Sequence, residues 1–161
     1  MQPPLPLADI LKLESADFGV PFYGYLVDRK NSGEPLHPVE EEAWLVLTMQ
    51  LDIEMEGFVD LFYQLYSLRE CDIVEATLRK IGLHRLAELF VEAKKLYVGG
   101  RTDISQSEYD AIDPWVDTLG KNDGWKEFEA IDREIMAEGS EIYLVWPRME
   151  KYVKQSLLNK I

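Results

Sequence analysis

Apolar side chains recur along this chain at the three- and four-residue spacings that line one face of an α-helix, interrupted chiefly at glycine and proline. The densest stretch is residues 52–97. Phe58, Leu61, Phe62 and Leu65 form one stripe after Gly57. Ile73, Val74, Leu78 and Ile81 form a second, and Leu86, Leu89, Phe90, Ala93 and Tyr97 a third. Asp72 is placed to cap the second of these helices, Gly82 to end it as its C′ residue, and Gly99-Gly100 to end the third. Upstream, Trp44, Leu47, Leu51 and Met55 repeat at helical spacing behind Pro38, a residue suited to the first helical position. Glu40, Glu41 and Glu42 are favourable in that first turn.

The flanks are less regular. Residues 1–7 are proline-rich and read as an extended arm, and Asp9 to Glu14 suits a short helix. Phe18 to Pro38 reads as a long connection, because Gly19, Pro21, Gly24, Gly33 and Pro35 puncture any periodicity. Phe22, Tyr23 and Tyr25 would pin it to the body. Ser105-Gln-Ser-Glu108 fits a capping box opening a helix toward Ile112. Pro114 starts another with Trp115, Val116 and Leu119, and Asp123 caps a third with Trp125, Phe128, Ile131 and Ile135 inward. After Gly139 comes a last helix bearing Ile142, Tyr143, Trp146, Met149, Tyr152, Val153 and Leu157, which Pro147 starts or kinks. Strand alternation is sustained nowhere. The pattern predicts an all-α single domain of roughly eight helices with short connections. Residues 1–37 are expected to form the arm and connection with one short helix, and residues 38–161 the helical, acidic body.

With 161 residues, 47% of them hydrophobic, the chain can bury a core without cross-links. The single cysteine, Cys71, forms no internal disulfide and suits a reducing cytoplasm. Met1-Gln-Pro-Pro-Leu-Pro has neither the basic nor the apolar segment of a secretory signal, and no apolar run approaches the ~18 residues of a membrane span. A cytoplasmic protein is expected.

Charge changes the picture most. The net charge of −13 is concentrated: residues 34–68 hold eight acids and no Lys or Arg, and residues 102–142 hold twelve acids against three bases. Such blocks repel nucleic acid and anionic membranes and attract basic proteins. Enzyme chemistry finds little support. Glu34 and His37 have metal-ligand spacing, but Pro35 and Pro38 oppose the helix that would aim both at one ion. His84, beside Gly82, reads as a surface or capping residue, and Glu70 and Asp72 would raise the thiol pKa of Cys71. Setting Gly124 at the sixth position of a calcium loop puts Leu119, Lys121 and Ala130 where oxygen ligands are required. No phosphate-binding glycine loop and no basic patch interleaved with aromatics is found. No cofactor or metal is called for, and the aromatics at helical spacing read as core.

The acids themselves remain. Carboxylates three or four apart on a helix lie about 5–6 Å from each other, and a DNA strand carries a phosphate about every 3.4 Å of axis. Rows of acids on adjacent helices could therefore imitate a duplex edge; the competing reading is a generic solvated face. The candidate partner-binding residues are Glu40, Glu41, Asp52, Glu54, Glu56 and Asp60 in the first block. In the second they are Asp103, Glu108, Asp110, Asp113, Asp117, Asp123, Glu127, Glu134 and Glu138.

Residues 52–63 and 78–93 also carry a resemblance. Glu56-Gly57-Phe58 stands where an Asn-Gly-Gly-Phe-type turn is usual, and Phe62-Tyr63 supplies an aromatic pair. Leu78-Arg-Lys-Ile81-Gly82 ends a helix, and Leu86-Ala87 through Ala93 match an alanine-bearing one. Phe128, Ile131 and Asp132 match a late helix. In these residues the chain resembles the all-helical family of bacterial DNA-mimic proteins, formerly a domain of unknown function, over about residues 40–155. It departs from the pattern where Met55 and Glu56 replace the Asn-Gly pair and where Gln64 stands in place of a frequent Asn. The resemblance implies a non-enzymatic protein whose partner is a basic DNA-binding protein, such as a transcriptional regulator or nucleoid protein, with no direct nucleic-acid or membrane binding. It also implies a homodimer. A toxin-neutralising or adaptor protein with a shape-specific surface is the alternative.

Overall fold

The computed structural model describes residues 5–120 and 123–158, with Gln64 and Leu65 described by their backbone alone. The described residues are helical with short connections and no strand, an all-α single domain. The helices are α1 (Leu7–Ile10), α2 (Ser15–Ser32), α3 (Pro38–Met55), α4 (Phe58–Asp60), α5 (Leu68–Lys80), α6 (His84–Tyr97), α7 (Gln106–Asp110), α8 (Gly124–Ile135) and α9 (Val145–Leu157). π-helical turns span Leu61–Leu65 and Pro114–Thr118, and a 3₁₀ turn spans Glu141–Leu144.

Helix α3 is the hub. It packs against α9, α5 and α2, while α6 bridges α5 to α8. Because neighbours surround it, α3 buries residues on nearly all sides, including Val39, Ala43, Leu45, Val46, Leu47, Met49 and Ile53. A helix apolar all round is an interior helix. The single stripe predicted for it is therefore incomplete: Leu47 is buried, but Met55 is 75% exposed. Pro38 does occupy its first turn. His37 is the N-cap, its Nδ1 accepting the Val39 N–H at 3.2 Å while Glu40 accepts the His37 N–H at 2.9 Å.

The region predicted as a connection from Phe18 to Pro38 is mostly helix α2, and the division at residue 37 is corrected with it. A proline inside a helix costs ~3 kcal/mol and each glycine ~1 kcal/mol. Against this, Phe18, Phe22 and Leu26, spaced by four, are almost fully buried. Burial of each is worth ~1.5–3 kcal/mol, so packing outweighs the local breakers Pro21, Gly19 and Gly24. The aromatics do pin the segment. Tyr23 stacks on Trp44 with ring centroids 5.7 Å apart, and the Tyr25 hydroxyl donates to Glu40 at 2.7 Å. Of the arm expected at residues 1–7, residues 1–4 lie outside the described residues, and Leu7 already opens α1.

Local signals hold well elsewhere. Helix α5 ends in a Schellman motif at Gly82 (φ +80°): Gly82 N–H donates to Arg79 and Leu83 N–H to Leu78. Gly99 and Gly100 close α6 in the same way. Ser105 and Glu108 form the predicted capping box. Helix α5 starts earlier than expected, however, capped by Ser67 with Glu70, which leaves Asp72 inside the helix and ion-paired to Lys94. Asp123 stands at the α8 N-cap position, but its carboxylate holds Lys126 and caps nothing. Pro147 sits in the first turn of α9, where its missing N–H has no helical partner to lose.

The second half of the core is aromatic. Phe58, Phe62 and Phe90 form a mutual triangle with centroids 5.4–6.0 Å apart, and Tyr97 and Tyr109 extend it. The Tyr109 hydroxyl donates to the Phe62 carbonyl at 3.0 Å. Gly57 precedes this cluster at φ +83°, ψ −178°, and Phe58 N–H reaches Asp132 Oδ1 on α8 at 3.4 Å. The turn at residues 56–58 and the late helix around Asp132 thus form one joint.

Candidate functional site

The acidic blocks divide once side chains are placed. Helix α3 is 18 residues long. At 1.5 Å per residue, Glu40 and Asp52 lie about 18 Å apart along its axis. The first block is therefore two groups at opposite ends of one helix. At the N-terminal end, Glu40 is corrected as a surface residue: it is 3% exposed and ringed by Tyr25, Arg29 and the His37 N–H. Its place in the capping box, and the packing of α2 over it, bury it. Glu41 takes a two-pronged contact from Arg69 at 2.8 and 3.2 Å, which holds its carboxyl below the usual range. Glu42 pairs with Lys80 and Tyr152. This end carries little free charge.

The other end differs. Glu54 and Glu56 are exposed and Asp60 half-buried, and none of the three pairs with a Lys or Arg among the described residues. Glu54 accepts from Gln50 Nε2 at 2.9 Å. Asp52 is half-buried, and burial, then the charge of Glu56, pushes its carboxyl above the ordinary range. This group adjoins the second block through the Gly57–Asp132 joint. The nearest Asp132 oxygen lies 2.9 Å from where a Cβ on Gly57 would stand. Burial raises the Asp132 carboxyl, and the Phe58 N–H partly offsets it. Asp132 is named in the sequence only as part of the late helix that carries the resemblance, since only the fold shows that it reaches α4.

In the second block, α8 turns Phe128, Ile131 and Ile135 inward. Glu127 and Glu134, seven residues apart, share the flank toward α6. There Arg85 gathers Glu134 at 2.7 Å, Glu88 at 3.0 Å and Glu92 at 3.4 Å. Glu134 is thus compensated, as is Asp123 by Lys126 at 3.1 Å. Glu108 and Asp110 are exposed on α7. The Ser105 N–H, then its hydroxyl, hold Glu108 below the usual carboxylate range, and Asp110 accepts from Gln106. Asp113 caps the Pro114–Thr118 turn through the Trp115 and Val116 N–H groups, and Asp117 accepts the Asp113 N–H. Asp103, Glu127 and Glu138 are exposed without a cation among the described residues.

One aromatic expectation is corrected: Trp125 is 50% exposed rather than inward. Trp115 and Val116 stand outward on their turn, 66% and 63% exposed. Only Leu119 of that group packs on the core. Tyr109, by contrast, is buried. The chemistry of the remaining candidates is quiet. His37 spends Nδ1 on its cap while Glu34 pairs with Arg29 at 2.9 Å. Burial, rather than its acidic neighbours first, pushes the Cys71 thiol up to about 11. Among the described residues no cluster of three or more His, Cys, Asp or Glu is placed to hold a metal, and no helix is long and apolar enough to cross a membrane.

Fold and surface together define an all-helical acidic domain whose carboxylates without a cation among the described residues include Glu54 and Glu56 at the end of α3, Asp60 on α4, Asp103 before α7, Glu127 on α8 and Glu138 after it. The family is more specific. Residues 34–156, more than half of the chain, match the family described as DMP19-like protein, and the chain belongs to that family of DNA mimics. No curated protein and no solved structure matches the chain at a comparable level.

Proposed function

We propose that this protein binds the DNA-binding face of a basic protein, a transcriptional regulator or nucleoid protein, and so competes with DNA. The observation carrying this reading is the set of exposed carboxylates without a cation among the described residues, Glu54, Glu56, Asp103, Glu127 and Glu138, on a chain of net charge −13 in a DNA-mimic family. Acids that are buried, compensated or used as caps contribute less, because their field is already satisfied. A partner's Lys and Arg side chains would meet the remaining acids as they meet phosphates, and association would be fast and salt-sensitive. The test is capture from bacterial lysate with elution by increasing salt and by duplex DNA. DNA-binding proteins released by both support the reading. Reversing Glu54, Glu56, Glu127 and Glu138 to Lys should abolish capture while the helical signal persists; unchanged capture refutes it.

A second reading, an adaptor with a shape-specific surface, is favoured by one observation: Trp115 and Val116 stand outward together. Exposed tryptophans are frequent binding hot spots. Under this reading Trp115→Ala loses ~2 kcal/mol of partner binding, and that binding survives high salt. Stability should move by less than about 0.5 kcal/mol.

A further inference from the structure

Between the C-terminal half of α6, α7, the Pro114–Thr118 turn and α8 lies an open cleft of about 1160 Å³. That exceeds the ~300–1,000 Å³ of a small-molecule pocket and suits a segment of chain. Its floor is apolar, formed by Leu96, Val98, Ile112 and Ile131, with Ala130 on the α8 wall. Among the described residues its rim holds the carboxylates Glu92, Glu108, Asp117 and Glu127 and the cations Lys95 and Arg101. Arg101 donates through Nε to the Val98 carbonyl at 2.9 Å and acts on Glu108, and Glu92 is held by Arg85. Glu127 faces the cleft without a cation among the described residues. An apolar floor under an anionic rim complements one kind of side chain above others, a long aliphatic stem ending in a positive charge.

We propose that this cleft seats an extended lysine- or arginine-bearing segment of the partner protein, stems on the floor and cationic heads against Glu127 and its rim. This rests on the reading above, that the partner is a basic protein, and locates where one of its segments is held. The rim alone would attract any cation. The floor makes the site selective, because only a ligand with apolar length gains from covering the half-buried Leu96 and the exposed Ala130.

The test titrates a short oligolysine peptide into the isotopically labelled full chain and follows backbone amide shifts, with a fully acetylated peptide as the neutral control. Shifts centred on Ala111, Ile112, Ala130 and Ile131 are expected, absent with the control. Ala130→Trp fills the cleft without changing charge at an exposed helical position, and should weaken binding about tenfold. Glu127→Gln should weaken it several-fold, and Asp28→Asn, the loss of one exposed carboxylate on α2 outside the cleft, should leave it within about twofold. Undiminished binding by A130W, or equal losses from E127Q and D28N, would show diffuse charge attraction and overturn the proposal. The two readings fail separately. A DNA-displaceable partner still captured by A130W sinks the cleft and spares DNA mimicry. Cleft-centred peptide binding with a lysate partner that duplex DNA cannot displace sinks mimicry and leaves the cleft.

Discussion

Gly57→Ala probes the joint that links the two acidic regions. Gly57 sits at φ +83°, ψ −178°, a conformation essentially restricted to glycine and costing a side-chain-bearing residue ~1–3 kcal/mol. The new methyl would also stand 2.9 Å from Asp132 Oδ2, nearer than real Cβ contacts come. Asp132 must therefore move, releasing the Phe58 N–H that it accepts at 3.4 Å, and a lost helix cap costs ~1 kcal/mol. Together these predict about 2–4 kcal/mol of destabilisation. At ~2–4 °C per kcal/mol for a domain of this size, the midpoint should fall by roughly 4–16 °C. The assay is thermal and urea unfolding followed by circular dichroism, for Gly57→Ala, Asp132→Ala and the double variant. Asp132→Ala alone should cost ~1 kcal/mol. The double variant should cost about 1 kcal/mol less than the sum, because the cap is lost only once and the clash has gone. A change below about 0.5 kcal/mol for Gly57→Ala, or strict additivity in the cycle, would refute the joint.

Two further outcomes follow from the interior. Phe90→Ala removes the ring that meets both Phe58 and Phe62 at full burial and should cost ~3–5 kcal/mol in urea unfolding; a cost below about 1 kcal/mol would mean that the aromatic triangle is not packed as described. Asp52 is held above the ordinary carboxylate range by burial and then by Glu56, so the folded chain binds its proton more tightly than the unfolded chain does. Its contribution to stability is greatest below the unfolded value of ~3.9 and declines as pH rises through the raised folded value. Asp52→Asn should therefore be more stable than the parent at neutral pH, and the gap should close on acidification toward about pH 4. A gap independent of pH would refute the assignment.

Legibility followed the range of the interaction. Gly82, Gly99-Gly100, Pro38 and the Ser105–Glu108 box act through bonds within a few residues, and the periodicity around them was enough to name an all-α chain. Helix α2 was hidden because Pro21, Gly19 and Gly24 are read locally, while Phe18, Phe22 and Leu26 gain from partners on α9 and α3. Trp125 and Trp115 share the composition of core residues, and only neighbours decide which aromatic is covered.

The concentration of acid in two stretches, and hence attraction for basic partners, is a property of the sequence by itself. Which acids stay uncompensated is not. Arg69 finds Glu41 across 28 positions and Arg85 finds Glu134 across 49, and α2 buries Glu40. Charge is additive along a chain, so sequence determines its total. A surface field depends on which opposite charges lie within a few ångströms, and only the packing of α3, α5, α6 and α8 decided that.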